Sequence, residues 1–256
     1  MERITSRQNP LIAQIRKLNT DRSYRRDSGL FVGEGPKLLD EAVRHGAALA
    51  AVVRAEGVAL PAMPEVRQVE VPESLFKYCA DTEHPQGVVF LCRIPPLAPP
   101  ERLPPGRYLV LDGVQDPGNV GTIWRTADAF GAGGLLLLPG CADPFSPKTV
   151  RATMGACFRL PVWETQPQRL LTALGEIPLY AAALRADSVD LRTQPLEGAA
   201  VVIGSEGRGV SAQVLALCSK TVRIPMRARC ESLNAAVAAA VILWAGLGNG
   251  GLTEGA

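Results

Sequence analysis

No C-x-x-C pair occurs among the six cysteines (Cys79, Cys92, Cys141, Cys157, Cys218, Cys230), and His45 and His84 are the only histidines. No zinc-type ligand cluster can be drawn from that set, and no metal is expected. The cysteines read as reduced thiols of a cytoplasmic protein. Neither sign of charge dominates: 27 basic residues against 25 acidic ones leave a formal +2. That excludes a strongly basic nucleic-acid wrapper and a disordered polyelectrolyte, so any basic partner surface must be local. The longest apolar stretch, Ala235 to Gly248, falls short of the roughly 18 to 20 residues of a membrane span and reads as a buried helix. The opening MERITSRQNP has no apolar segment behind its charges, so no secretory signal is expected. No long-period repeat and no G-x-x-x-x-G-K-[ST] is present, and the glycine loop at 204–209, spaced G-x-x-G-x-G, is not the dinucleotide G-x-G-x-x-G.

What is present is a 256-residue chain, 47% hydrophobic and 20% charged, with room for one large or two modest domains at roughly 150 residues each. Residues 95–106, PPLAPPERLPPG, suit neither a helix interior nor a central strand. They read as a stiff linker between a domain over 1–94 and a second over 107–256. In the first, Leu11, Ile12, Ile15 and Leu18 stand at helical spacing within 9–19, and 30–34, 50–53 and 88–92 look like short strands, a small α/β domain. In the second, apolar runs at 108–112, 134–138, 179–184, 199–204 and 221–224 alternate with mostly helical stretches. Such runs suit a mostly parallel sheet covered on both faces. The closing GNGGLTEGA is expected to fray.

Charge is uneven at the start, where Arg3, Arg7, Arg16, Lys17, Arg22, Arg25 and Arg26 face only Glu2 and Asp21 within residues 1–26. This is either a phosphate-contacting patch or a solvated helix face. Three segments of the second domain follow predicted strands, where ligands bind in open α/β sheets. In DGVQDPGNVGTIWRTADAFGA (112–132), Asn119 stands where it can cap a helix that displays Arg125. In VVIGSEGRGVS (201–211), a glycine-rich loop holds Glu206, and its glycines let the backbone approach a neutral ligand such as a nucleoside. In RIPMRARCESLNAAVAAAVILWAG (223–246), Glu231, Ser232 and Asn234 precede an alanine-rich helix whose start they can cap.

Taken in order, N-x-G-x-x-x-R-T-A-x-A-F-G, then G-S-E-G-x-G-V-S, then I-P-M with E-S-L-N and the alanine-rich helix resemble the SpoU/TrmH family. These are the ribose 2′-O-methyltransferases of the SPOUT superfamily. The opening S-R-Q-N-P-L, R-K-L and G-L-F-V-G-E-G resemble the small RNA-binding domain that precedes many such catalytic domains. The resemblance implies an α/β fold whose parallel sheet carries a deep trefoil knot, a homodimer, and S-adenosylmethionine as cofactor without a metal. It implies cofactor contacts from Gly204, Ile224, Met226, Ser232, Leu233 and Asn234. It places Arg125, Asn119, Glu206, Ser232 and Asn234 in the catalytic set.

A guanidinium stays charged at any working pH. Arg125 is therefore assigned to the phosphate beside the target ribose and to the developing alkoxide, in preference to a base role. The resemblance makes Arg7, Arg16, Lys17, Arg22, Arg25 and Arg26, with Lys148 and Arg151, the candidate RNA contacts. Ala228 and Ala235 stand where many relatives carry glycine and valine, and Thr153 where serine is frequent. The expected activity is 2′-O-methylation of a ribose in structured RNA, 23S-type rRNA ahead of tRNA. The alternative is an RNA-binding or ribosome-assembly protein with a vestigial methyltransferase site, against which the intact motif set stands.

Overall fold

The computed structural model describes residues 2–61, 63–227, 229–230 and 232–247. The glycine-rich close of the chain, with Ala228 and Glu231, lies outside them. By contacts the chain divides into two compact units, 1–95 with 143–158 and 96–142 with 159–256.

The first unit carries a mixed sheet of β1 (Glu2–Arg3), β2 (Leu30–Glu34), β3 (Leu49–Ala55), β4 (Arg67–Val71) and β5 (Val88–Arg93). Its order is β1-β4-β3-β5-β2, with β5 antiparallel to both its neighbours. The helices are α1 (Pro10–Thr20), α2 (Arg22–Ser28), α3 (Pro36–Arg44) and α4 (Glu73–Cys79). Helix α1 begins where Asn9 Oδ1 accepts from the Leu11 N–H at 2.9 Å and Pro10 presets φ. Its Leu11, Ile12, Ile15 and Leu18 share one buried face, as their spacing predicts.

The second unit is built on β6 (Tyr108–Asp112), β7 (Gly134–Leu137), β8 (Val162–Glu164), β9 (Leu179–Ala182), β10 (Val189–Asp190), β11 (Ala200–Gly204) and β12 (Lys220–Arg223). The order is β10-β12-β9-β11-β6-β7-β8 and every adjoining pair is parallel. The remaining helices are α5 (Pro117–Ala129), α6 (Pro147–Thr153, which packs in the first unit), α7 (Pro167–Leu174), α8 (Ala212–Leu215) and α9 (Ala235–Ala245). The central strands are buried along their length, as a parallel sheet covered on both faces requires. From β6 the chain builds outward through β7 and β8, crosses to β9, and then inserts β11 between β9 and β6. The carboxyl ends of β6, β11, β9 and β12 thus lie side by side, and the loops that leave them share one end of the sheet.

The proline-rich stretch forms neither helix nor strand, yet it is no loose connector. The Leu97 carbonyl accepts from the Glu164 N–H at 2.7 Å, and the Leu103 N–H donates to the Ala173 carbonyl at 2.8 Å. Leu103 is buried, and Tyr108 Oη donates to the Pro104 carbonyl at 2.8 Å. Residues 96–106 therefore lie against the second unit.

Residues 143–158 depart from the sequence reading, which placed them in the second domain. Phe145 packs tilted against Phe31 of β2 at 4.8 Å between ring centres and Phe158 stacks on it at 6.3 Å, and Phe158 meets Phe90 of β5 at 6.4 Å. Apolar burial in the first unit holds this segment there. Thr153 is fully buried and its hydroxyl donates to the Val150 carbonyl at 2.7 Å, so it serves the end of α6.

Candidate active site

Three loops at the carboxyl end of the second unit's sheet build the site. After β6, α5 starts at Asp116, whose carboxylate accepts from the Asn119 N–H at 2.9 Å. The sequence reading gave Asn119 this capping place. Asp116 takes it because Pro117 fills the first helical position, which leaves Asn119 a turn inside with its side chain available. Val120, Ile123, Trp124 and Ala127 bury one face of α5. Arg125 is exposed and makes no hydrogen bond or ion pair with any described residue.

After β11, the loop folds straight back on itself. The Ser205 N–H donates to the Gly209 carbonyl at 3.1 Å, and the Gly209 N–H returns to the Ser205 carbonyl at 2.9 Å. A Cβ on Gly204 would overlap the backbone of Gly209 and Val210, so only glycine fits there. Asp112, at the end of β6, accepts from the Ser211 N–H at 2.7 Å and ties the loop to the neighbouring strand.

After β12, Asn234 caps α9, its Oδ1 accepting from the N–H groups of Ala236 and Val237 at 2.9 and 3.3 Å. The alanines that follow let α9 approach α5 and β11 closely, and Ala235, Ala236 and Ala239 are buried there.

The three loops are joined by side chains. Asn234 Nδ2 donates to Asn119 Oδ1 at 3.1 Å, and Asn119 Nδ2 donates to Glu206 Oε1 at 2.5 Å. Residues separated by more than a hundred positions in sequence thus form one hydrogen-bonded chain, Asn234 to Asn119 to Glu206.

Beside it lies a cavity of about 290 Å³, near the lower end of the roughly 300–1,000 Å³ typical of small-molecule sites. Of the residues expected to hold a cofactor, Gly204, Ile224, Met226, Ser232 and Leu233 line it, and Glu206 lines it too. Asn234, Asn119 and Arg125 do not; the first two reach it only through Glu206. Sequence reasoning missed Ala182, Ala183 and Leu184 at the end of β9, as well as Arg223. The position of β9 beside β11 and β12 carried that signal, and no motif did. The walls are apolar around Ile203, Val222, Ile224 and Ala238 and polar around Ser205, Glu206 and Ser232. A flat base and a ribose with a charged tail match such a division.

In the first unit the basic residues separate. Arg25 is withdrawn from the RNA-contacting set. Its guanidinium is buried against Asp143 at 2.7 Å and donates to the Leu18 carbonyl at 2.5 Å. Arg151 pairs with Asp81 at 2.6 Å, half-buried. Arg7 and Arg16 both stack on the Tyr78 ring, at 4.7 and 4.8 Å, and Lys17 lies over Tyr24 at 4.3 Å. Arg7 and Arg16 make no ion pair with any described residue, so two like charges are held together without a carboxylate. Arg22, Arg26 and Lys148 are exposed, each with an interaction of its own.

Four of the cysteines are held as thiols by burial. All six are free, and burial pushes the thiols of Cys79, Cys141 and Cys218 up to about 11 and Cys92 further in the same direction. Among the described residues no group of three or more potential ligands could hold a metal, and no helix is long and apolar enough to cross a membrane.

A wholly parallel sheet, a folded-back glycine loop and a cavity at the strands' carboxyl end define an α/β protein with a pocket of small-molecule size. Comparison with known proteins gives the family. The SpoU rRNA Methylase family matches residues 106–244, and the MRM3-like substrate binding domain matches residues 9–89. The chain belongs to the SpoU rRNA methylase family.

Over 249 residues the chain is 31% identical to the 23S rRNA (guanosine(2553)-2′-O)-methyltransferase RlmP of Bacillus subtilis, covering 95% of this chain and 98% of that one. It is also 31% identical to the 23S rRNA (uridine(2479)-2′-O)-methyltransferase of Streptomyces viridochromogenes, covering 94% and 90%. An AdoMet-bound rRNA methyltransferase structure from Sinorhizobium meliloti superposes with a TM-score of 0.83 at 32% identity, over 96% of this chain and 97% of the other.

Proposed function

We propose that the protein transfers a methyl group from S-adenosylmethionine to the 2′-oxygen of a ribose in large-subunit rRNA. The observation that carries this is the cavity formed where the three motif loops meet, with Gly204, Ile224, Ser232 and Leu233 in its wall. Close full-length similarity to two 23S rRNA 2′-O-methyltransferases supports the substrate class.

Bound S-adenosylmethionine would supply an electrophilic methyl group on a sulfonium. The chain's own residues then have two tasks. The backbone of the Gly204 loop and the side chains of Ile224 and Leu233 hold the nucleoside. Ser232 and the Asn234–Asn119–Glu206 chain orient the polar groups around it. Ala235 lines the cavity and, being smaller than the valine frequent in relatives, leaves more room there. Arg125 binds the phosphate beside the target ribose and stabilises the negative charge that develops on the 2′-oxygen as the hydroxyl proton passes to solvent water. A guanidinium stays charged and is no base, so it acts by charge. Alignment of the 2′-oxygen with the methyl carbon supplies further acceleration.

Calorimetric titration tests the cofactor reading. The wild type is expected to bind S-adenosylmethionine, and Gly204→Ala is expected to lose that binding because its Cβ displaces the returning loop. Equal affinity of the two would contradict it.

The reading includes a SPOUT trefoil knot, for which the insertion of β11 between β9 and β6 is the supporting order, and a cytoplasmic homodimer. Val237 and Trp244, 49% and 67% exposed, lie two turns apart on one face of α9. That exposed apolar stripe suits a second copy of the chain.

In the first unit, the Arg7 and Arg16 guanidiniums held on Tyr78 present positive charge to an RNA backbone. Tyr78→Leu is expected to weaken binding of a 23S rRNA fragment several-fold and flatten its salt dependence, with S-adenosylmethionine binding unchanged. Arg7→Ala and Arg16→Ala should each lower the salt slope by about 0.7 to 0.9 for every phosphate that the missing guanidinium neutralised. An unchanged slope in all three variants would remove this surface from the RNA path.

A further inference from the structure

We propose that Asn234, Asn119 and Glu206 form a one-way positioning chain. The cap of α9 sets the direction of every amide in it, and the chain closes only on a side chain that accepts. This rests on the reading of the adjoining cavity as the S-adenosylmethionine site.

The direction follows from donor and acceptor counting. A carboxamide accepts at oxygen and donates at nitrogen. Asn234 Oδ1 is committed to the Ala236 and Val237 N–H groups, which α9 cannot satisfy internally. Turning that amide over would set an NH₂ against two N–H donors, so Nδ2 must face Asn119. Asn119 meets it with Oδ1, and its own Nδ2 is thereby aimed at Glu206. An ionised carboxylate accepts and never donates, so Glu206 is the matching terminus.

Glu206 lines the cavity. The chain therefore fixes a carboxylate in the cavity wall and ties together the loops after β6, β11 and β12. Asn234 and Asn119 act through Glu206 as positioning residues.

The test reverses the chain. Asn234→Asp keeps a capping oxygen as good as the original, so α9 is retained. It offers Asn119 only acceptors. Asn119 must then turn over, and its oxygen meets Glu206 acceptor to acceptor. Asn119→Asp, in the first turn of α5 where a negative charge is favourable, sets a second carboxylate against Glu206 directly. Each variant is expected to bind S-adenosylmethionine about two- to tenfold more weakly, the scale of one net hydrogen bond, with native circular dichroism.

Glu206→Gln can turn either way. It still accepts from Asn119 in the wild-type background and becomes a donor in the two Asp backgrounds. Asn234→Asp/Glu206→Gln and Asn119→Asp/Glu206→Gln are therefore expected to bind the cofactor more tightly than their Asp parents. Both doubles are also expected to unfold at higher temperature than those parents in cofactor-free protein.

Independent contributions predict doubles no better than the Asp single variants. That result, or Asp variants that lose nothing, overturns the proposal. If the wild type failed to bind S-adenosylmethionine, the cofactor reading would fall while the unfolding midpoints still judged the chain.

Discussion

Arg125→Ala is expected to lower kcat for methyl transfer on the order of 10² to 10³-fold, the scale of removing one group that stabilises a developing oxyanion. The affinity for S-adenosylmethionine should be unchanged, because Arg125 is exposed and absent from the cavity wall. No described residue pairs with it, which leaves its charge available to a phosphate. Arg125→Lys should keep part of the rate, since an ammonium still carries the charge but lacks the planar fork that grips a phosphate. Single-turnover rates at saturating cofactor, with calorimetric affinities beside them, separate the two effects. Full turnover in Arg125→Ala would remove it from the chemistry.

Arg25→Met is expected to cost about 3 to 5 kcal/mol of stability. The Arg25–Asp143 pair is nearly closed to water, with side chains 5% and 10% exposed. Removing the guanidinium leaves the Asp143 carboxylate and the Leu18 carbonyl short of a partner in that interior. Asp143 still accepts from the Phe145 N–H at 3.0 Å, a neutral donor that does not balance its charge. Replacing both members, Arg25→Met/Asp143→Leu, should cost less than the single change, because no buried charge remains. Urea unfolding of the three proteins decides it. A single variant within about 0.5 kcal/mol of wild type, the range of ordinary surface changes, would show that the pair is not buried in solution.

Most of the strands that the sequence made legible are apolar runs buried on both faces, although Lys220–Arg223 was also placed with only Val222 buried. Leu30–Glu34 and Tyr108–Asp112 fall where their apolar runs placed them. Arg67–Val71 escaped notice because only Val69 and Val71 are buried and the polar Gln68 and Glu70 alternate with them. Val162–Glu164 escaped because three residues make no pattern.

The same division holds at the site. Gly204, Glu206, Ser232 and Asn234 stood in recognisable motifs, and the fold brings the motif loops together. Asp116 was readable as a cap from the proline that follows it, yet Asn119 was given that place. Arg25 and Tyr78 could not be judged from sequence. The partner of the first lies 118 positions away, and the second holds its arginines only once α4 packs beside α1. Charge counting along a chain cannot tell a buried ion pair from an exposed cation.

Transfer of labelled methyl from S-adenosylmethionine to total RNA of a strain lacking this gene decides whether the protein 2′-O-methylates rRNA. The predicted result is label at one ribose 2′-oxygen of large-subunit rRNA, absent with Arg125→Ala. Cofactor binding without label in any mature or assembling RNA, or label on a base, would contradict it.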